Sequence, residues 1–399
     1  MRKFTETDME LNVSSHVLRC KTDEGIMVGV HKNKIKDKEI IDGFMDMLHL
    51  HHFKYNDFGM PEFVLSTKHG KEKPSENDKA LDAIGTLIRV IRKNRPDFRV
   101  KISIEGRTVS EEEIKIDPGT IDIPRCEDWC DTIKRRPVDL PEPAKKISKL
   151  VDDETLEWNQ PVSAIKNNSI DGRISGLKVC ELKYKIRNKP EWNLKFILPK
   201  GKGKKEILDI LAGFGKGAQL KFQKEELEIA AKIIKELASK RKGQADRNMA
   251  LYSAGGGEHR IESKLIKNKI PNTDIALCPL WDKLPFQFPA IWHRYKDVRH
   301  IDYLMRQDEV PWVIEIKDKV SQGEYYRHAI GQVVLYREFL LNATVFRSYF
   351  EGMKIDLSKC KAAIVVPELT GDNVEKLESH IEYLRDLFEV EVFQLPPSF

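Results

Sequence analysis

The chain is short of the features that announce special environments. Its six cysteines are scattered over 399 residues, too sparse for a disulfide framework, so a reducing cytoplasm is the expected setting. Cys126 and Cys130 have no second pair at ligand spacing, which argues against structural zinc. No run reaches the ~18 apolar residues of a membrane span, and the opening MRKFTETDMELN lacks the apolar stretch of a secretory signal. No sign of charge dominates: 68 Lys and Arg against 63 Asp and Glu leave +5, which permits a polyanionic partner without requiring one. PKGKGKKE (199–206) has no Ser or Thr after a Gly-Lys, so no nucleotide cofactor is expected. No internal repeat is visible.

What is present organises into three regions. Residues 1–145 mix strand-like runs (SHVLRC, GIMVGVH, PEFVLS, FRVKISI) with helical spacing at Leu81, Ile84, Leu87, Ile88 and Ile91, an α+β pattern. Residues 146–250 hold an accessory hairpin (LKVCELKYKIR, WNLKFILPK) and a long amphipathic helix near 224–241. Residues 251–399 alternate strands and helices, with TDIALC, RHIDYLMR, VPWVIEIK, KAAIVV and VEVFQL as strands. That alternation predicts an α/β unit, a mixed sheet flanked by helices on both faces.

Charge in the middle of apolar strands is the strongest chemical signal. RHIDYLMR carries Asp302, and VPWVIEIK carries Glu315 and Lys317 among Trp312, Val313, Ile314 and Ile316. Two carboxylates on adjacent strands suit a hard cation such as Mg²⁺, which takes oxygen ligands and keeps several waters. A lysine two residues from Glu315 projects to the same face, where it can orient a water or hold developing charge. The bland reading has weight, because Glu-x-Lys recurs at Glu113/Lys115 and at Glu181/Lys183, the latter preceded by Asp171. Taken alone, the tripeptide is more often a solvated strand face. Context favours the third copy, which follows an Asp-bearing apolar strand and precedes a helix with Gln332 and Tyr336 at i, i+4. The histidines 49, 51 and 52 read as a surface cluster rather than a metal site, and Trp281, Phe286, Phe288, Trp292 and Tyr295 as core and interface.

Asp302, then Glu315-Ile-Lys317, then AIGQVVLYREF with Gln332 resembles the PD-(D/E)XK nucleases over residues 255–395. His300 and Ile301 stand where the motif name would place a proline. The set HIDYLMR, VPWVIEIK and AIGQVVLYREFL, behind a long unrelated first half, is similar to the nuclease domain of Shedu-type bacterial anti-phage defence proteins. The resemblance implies a metal-dependent DNA endonuclease of the bacterial cytosol, with Asp302, Glu315, Lys317 and Gln332 as the catalytic set and a first half that senses or restrains. It implies Mg²⁺, or Mn²⁺ in its place, bound by Asp302 and Glu315 with an acid from the first helix, Glu258 or Glu262. Because one such site cuts one strand, a homo-oligomer, dimer or tetramer, is expected. The competing expectation is a non-catalytic nucleic-acid-binding protein, or a DNA-repair or recombination factor, that keeps the nuclease fold.

Overall fold

The computed structural model describes residues 17–22, 25–32, 37–54, 60–67, 74–104, 107–114, 131, 133–134, 139–151, 156–160, 168–174, 177–184, 192–198, 203–217, 221–245, 261, 265, 270, 275–281, 288–290, 299–317, 324–368 and 374–396. The chain is mixed α and β, built around three five-stranded sheets. The first sheet contains β1 (Val17–Thr22), β2 (Gly25–Lys32), β3 (Glu62–Thr67), β4 (Lys101–Ile104) and β5 (Arg107–Thr108), in that order. Helices α1 (Asp37–Lys54) and α2 (Pro74–Asn94) make the crossovers between its parallel strands β2, β3 and β4.

The middle region has its own core. It contains α3 (Glu142–Val151), β6 (Glu157–Asn159), β7 (Ser169–Ile174), β8 (Leu177–Tyr184), β9 (Trp192–Phe196), α4 (Gly203–Gly213), β10 (Lys221–Phe222) and α5 (Leu227–Ala245). The expected hairpin is β8 and β9, lying inside an antiparallel sheet of order β10-β9-β8-β7-β6. Alternation along β9 turns Trp192, Leu194 and Phe196 toward Ile207, Leu211, Ile233 and Ile234 of the two following helices. Gly203 to Glu206 of the glycine-lysine stretch form the first turn of α4. Cys126 and Cys130 lie outside the described residues.

The third region supplies β11 (Cys278–Pro279), β12 (Phe288–Ala290), β13 (Arg299–Ile301), β14 (Tyr303–Gln307), β15 (Val310–Ile316), α6 (Glu324–Asn342), β16 (Lys361–Pro367), α7 (Val374–Phe388) and β17 (Val390–Leu395). Its sheet runs β11-β14-β15-β16-β17, antiparallel up to β15 and parallel from there on. Because β15, β16 and β17 step in one direction, crossovers of one hand bring both long helices to the same face. Leu335 and Phe339 of α6 and Leu384 and Phe388 of α7 accordingly share one core. The other face packs on Ile261, Leu265 and Ile270.

The first and third regions meet through their helices. One core joins Phe44, Met45 and Leu48 of α1 and Ile84, Leu87 and Ile91 of α2 to Ile330, Val333 and Val334 of α6. The layers therefore run sheet, helices, helices, sheet. A Cβ on Gly331 would stand 2.5 Å from Ile41 Cγ2 and 3.1 Å from Met45 Cγ, so glycine allows α1 and α6 to close. Buried Arg327 pairs with buried Asp46 at 3.1 Å across this contact, and His328 Nδ1 lies 2.8 Å from Asp42 Oδ1. The histidines near the end of α1 also belong here: His49 meets His380 edge-on at 4.1 Å, and His52 stacks on Tyr383 at 3.7 Å with planes 5° apart. They are interface rather than free surface.

Two outcomes follow from this contact. Gly331→Val should overpack it and cost about 1–3 kcal/mol, read as a lower urea midpoint at an unchanged slope; an unchanged midpoint would mean that α1 and α6 are not tightly packed. Burial, then Arg95, then His51 push the His52 pKa below its usual 6.5. The unfolded chain therefore takes up this proton first, and the stabilisation present above pH ~6.5 is lost as pH falls through the lower folded value. His52→Phe keeps the stack on Tyr383 and should flatten the fall in melting temperature between pH 7.5 and 5.5, whereas an equal fall in both proteins would exclude His52 as its source.

Candidate active site

The charged residues of β15 lie at its carboxyl end, beside the start of the parallel part of the sheet. Trp312, Ile314 and Ile316 point into the smaller core and Val313 into the core beneath α6, so alternation places Glu315 and Lys317 on the face that α6 covers. The backbone N–H of Lys317 donates to Val365 O at 3.0 Å, extending the ladder to β16 past the last residue of β15.

Asp302 sits at a break. RHIDYLMR, read as one strand, is two: β13 pairs with β12 in a separate ribbon, and β14 pairs with β15. The register pairs Tyr303 with Ile314 and Leu304 with Val313; Asp302 stands at the bend one residue before that pairing begins, and Glu315 one residue past Ile314.

Glu315 is 1% exposed and Lys317 7%. Lys317 Nζ donates to Glu315 Oε1 at 2.6 Å, while Glu315 Oε2 is buried with no hydrogen-bond partner. An anionic oxygen without a donor is costly in a protein interior, and a hard cation would relieve that cost. Gln332 is half-buried on α6, and its Nε2 donates to Tyr336 Oη at 2.7 Å, which leaves the amide oxygen as the acceptor end. The i, i+4 spacing that set Gln332 and Tyr336 apart in the sequence is the spacing this hydrogen bond uses. Burial lowers the pKa of His300, two residues before Asp302, favouring its neutral form.

Glu258 and Glu262 lie outside the described residues. Among the described residues, no three His, Cys, Asp or Glu side chains gather as a metal-binding group. Asp302 and Glu315 are two hard-oxygen ligands, and Mg²⁺ is commonly held by one or two carboxylates plus waters, so the donor set fits such an ion. Burial pushes the Cys360 thiol up to about 12 and Cys180 still higher, so these two are far from the thiolate that a nucleophile needs.

The second Glu-x-Lys copy also gains an opposed acid, since Asp171 pairs in register with Glu181. A register shift between Gly172 and Arg173 brings Lys178 to their face, 2.7 Å from Asp171 Oδ1 and 3.8 Å from Glu181 Oε2. These carboxylates already share an internal ammonium. The first copy, Glu113, lies exposed in a turn paired with Arg107 at 2.8 Å.

No protein family, curated protein or solved structure matches the chain. No helix among the described residues is long and apolar enough to cross a membrane.

The burial of Glu315 and Lys317 makes a stability prediction. Lys317→Met alone strands a buried carboxylate and should cost about 3–5 kcal/mol. Adding Glu315→Leu should recover most of that loss. Urea unfolding of wild type, both single variants and the double variant measures the coupling, and a silent Lys317→Met would show the pair to be solvated.

Proposed function

We propose that the chain is a metal-dependent DNA endonuclease with a PD-(D/E)XK-type site. The observation that carries this reading is the buried Glu315–Lys317 pair, with one Glu315 oxygen unpartnered and Asp302 at the bend immediately before β14, the strand that pairs with β15. The order β14, β15, α6, β16, with the site where the strands turn parallel, supports it, as does the general placement of α/β sites at strand carboxyl ends.

In this mechanism Asp302 and Glu315 would hold a divalent ion, Mg²⁺ or Mn²⁺. The bound ion would lower the pKa of a water and offset the charge building on the phosphate. Lys317, whose ammonium donates to Glu315 Oε1, would supply the positive charge that orients the attacking water or holds a non-bridging phosphate oxygen. Gln332, anchored through Tyr336, offers its amide oxygen to the same water. Layers of apolar side chains behind both strands keep these groups from rearranging, which is the preorganisation that such electrostatic catalysis needs. Cutting both strands of a duplex calls for a second site, supplied here by a second copy of the chain. The resemblance to Shedu-type proteins extends the proposal to anti-phage defence in a bacterial cytoplasm, with invading DNA as the substrate.

Plasmid cleavage with Mg²⁺, assayed below each variant's melting midpoint, tests this. Asp302→Ala and Glu315→Ala should abolish it, Lys317→Ala should slow it by about 10² or more, and Gln332→Ala should slow it less. Glu181→Ala and Lys183→Ala should leave it unchanged. Cleavage near the wild-type rate in Asp302→Ala or Glu315→Ala, or its complete loss in a folded Lys183→Ala, would move the site elsewhere.

A further inference from the structure

The outer face of the middle sheet carries charge that the core of that region does not use. Leu182 of β8, Leu194 and Phe196 of β9 and Phe222 of β10 fill the core shared with α3, α4 and α5. Alternation therefore turns Glu181, Lys183, Asn193, Lys195 and Lys221 to the opposite face. The register shift at Gly172 and Arg173 adds Lys178 to them.

Charge on this face is sorted by depth. Its acids are inside: Glu157, registered with Arg173, is buried, and the side chains of Asp171 and Glu181 are 4% and 20% exposed. Its lysines are outside: the side chains of Lys178 and Lys183 are 36% and 51% exposed, Lys221 is exposed and Lys195 half-buried. Glu181 is shared, with Lys178 at 3.8 Å, Lys183 at 3.7 Å and Lys195 opposite it in register. Lys195 in turn stands directly opposite Lys221, a like-charge pairing that costs the sheet stability. What solvent meets on this face is mainly positive.

The strands also space these cations for a polyanion. Opposed positions, as Lys195 and Lys221 are, have Cβ atoms about 4.5–5.5 Å apart, and diagonal ones, as Lys183 and Lys195 are, about 7–8 Å. Long side chains on such a grid can each reach a separate phosphate of a strand that bears one charge per ~3.4 Å of duplex axis. None of these positions carries an aromatic ring to stack on a base or an apolar side chain to anchor a protein partner.

We infer that the outer face of β8, β9 and β10 is a backbone-binding surface for nucleic acid, one that reads charge and not sequence. Binding there needs no metal and makes no bond, so it stands whether or not the proposed cleavage does. It adds affinity rather than chemistry, and a single Lys183→Ala leaves cleavage at saturating plasmid unchanged. Phosphate contacts by lysine release counterions, so affinity should fall with salt by a slope of about 0.9 per contact in log–log form.

The experiment uses the full chain in EDTA, which prevents metal-dependent cleavage, and a fluorescent DNA duplex followed by anisotropy over a series of KCl concentrations. Replacing Lys183, Lys195 and Lys221 together by Gln should weaken binding at low salt by about tenfold and lower the salt slope by about 2–3. Replacing Lys204, Lys232 and Lys235 by Gln removes the same charge from exposed positions of α4 and α5 and should change neither. The double variant Lys195→Gln with Lys221→Gln, which leaves Lys178 and Lys183 beside Glu181, should lower the slope by about 1–2 and keeps the test open if the triple variant fails to fold, as melting curves will show. Parent-like affinity and slope in the folded double variant, or equal losses in the two triple variants, would overturn the inference and leave the nuclease reading intact. Tighter binding of fluorescent polyglutamate than of DNA, lost with the same lysines, would overturn it in favour of an acidic protein partner. Lysine-dependent DNA binding by a chain that never cuts DNA when Mg²⁺ is supplied would sink the nuclease reading alone.

Discussion

The close approach of α1 to α6 is the constraint on which the rest of the molecule depends. Each helix covers its own sheet with one side and the other helix with the opposite side, so neither can be polar on any broad face. Gly331 removes the side chain that would separate them. Arg327 and Asp46, buried across the same contact, bring little net stability once the cost of their desolvation is counted, but losing either would strand the other. Such a pair fixes how the helices lie more than how strongly they hold. Since α6 also carries Gln332 and roofs the face bearing Glu315 and Lys317, the position of the first region is transmitted to the candidate site through one rigid helix.

This arrangement explains how a strand tolerates charge. Glu315 and Lys317 lie at the carboxyl end of β15, where they neutralise each other at 2.6 Å, while the apolar residues between and before them fill two cores. The pair is not complete, because one carboxylate oxygen has no donor. In the middle region the comparable acids, Asp171 and Glu181, share Lys178; burial still raises the Asp171 pKa, with Lys178 opposing that rise. The two Glu-x-Lys sites look alike in sequence and differ in whether the strand supplies its own cation to both acids.

Local pattern carried much of the fold. The boundaries of β15, β16, α7 and β17 were legible because β15 and β16 are nearly unbroken runs buried on both faces, while β17 alternates and α7 keeps helical spacing. RHIDYLMR was not legible as two strands, since a break at Asp302 leaves the apolar pattern intact, and of TDIALC only Cys278 enters a strand among the described residues, at the start of β11. In the middle region β6 is three residues long, and β7, SIDGRI, carries Asp, Gly and Arg, so only the hairpin beside them showed. Three sheets lie within residues 17–108, 157–222 and 278–395, but the common core of the first and third regions joins residues such as Asp46 and Arg327, 281 positions apart, and no window of sequence contains such a contact.

The central claim is that Asp302 and Glu315 together form a site for a hard divalent cation beneath α6. Anomalous diffraction from crystals of the full chain soaked in Mn²⁺ tests it most directly. The account predicts a peak within bonding distance of carboxylate oxygens from both residues, absent from the same crystals of Glu315→Gln. A peak at Asp171 and Glu181 alone, or none near β15 at saturating Mn²⁺, would contradict it.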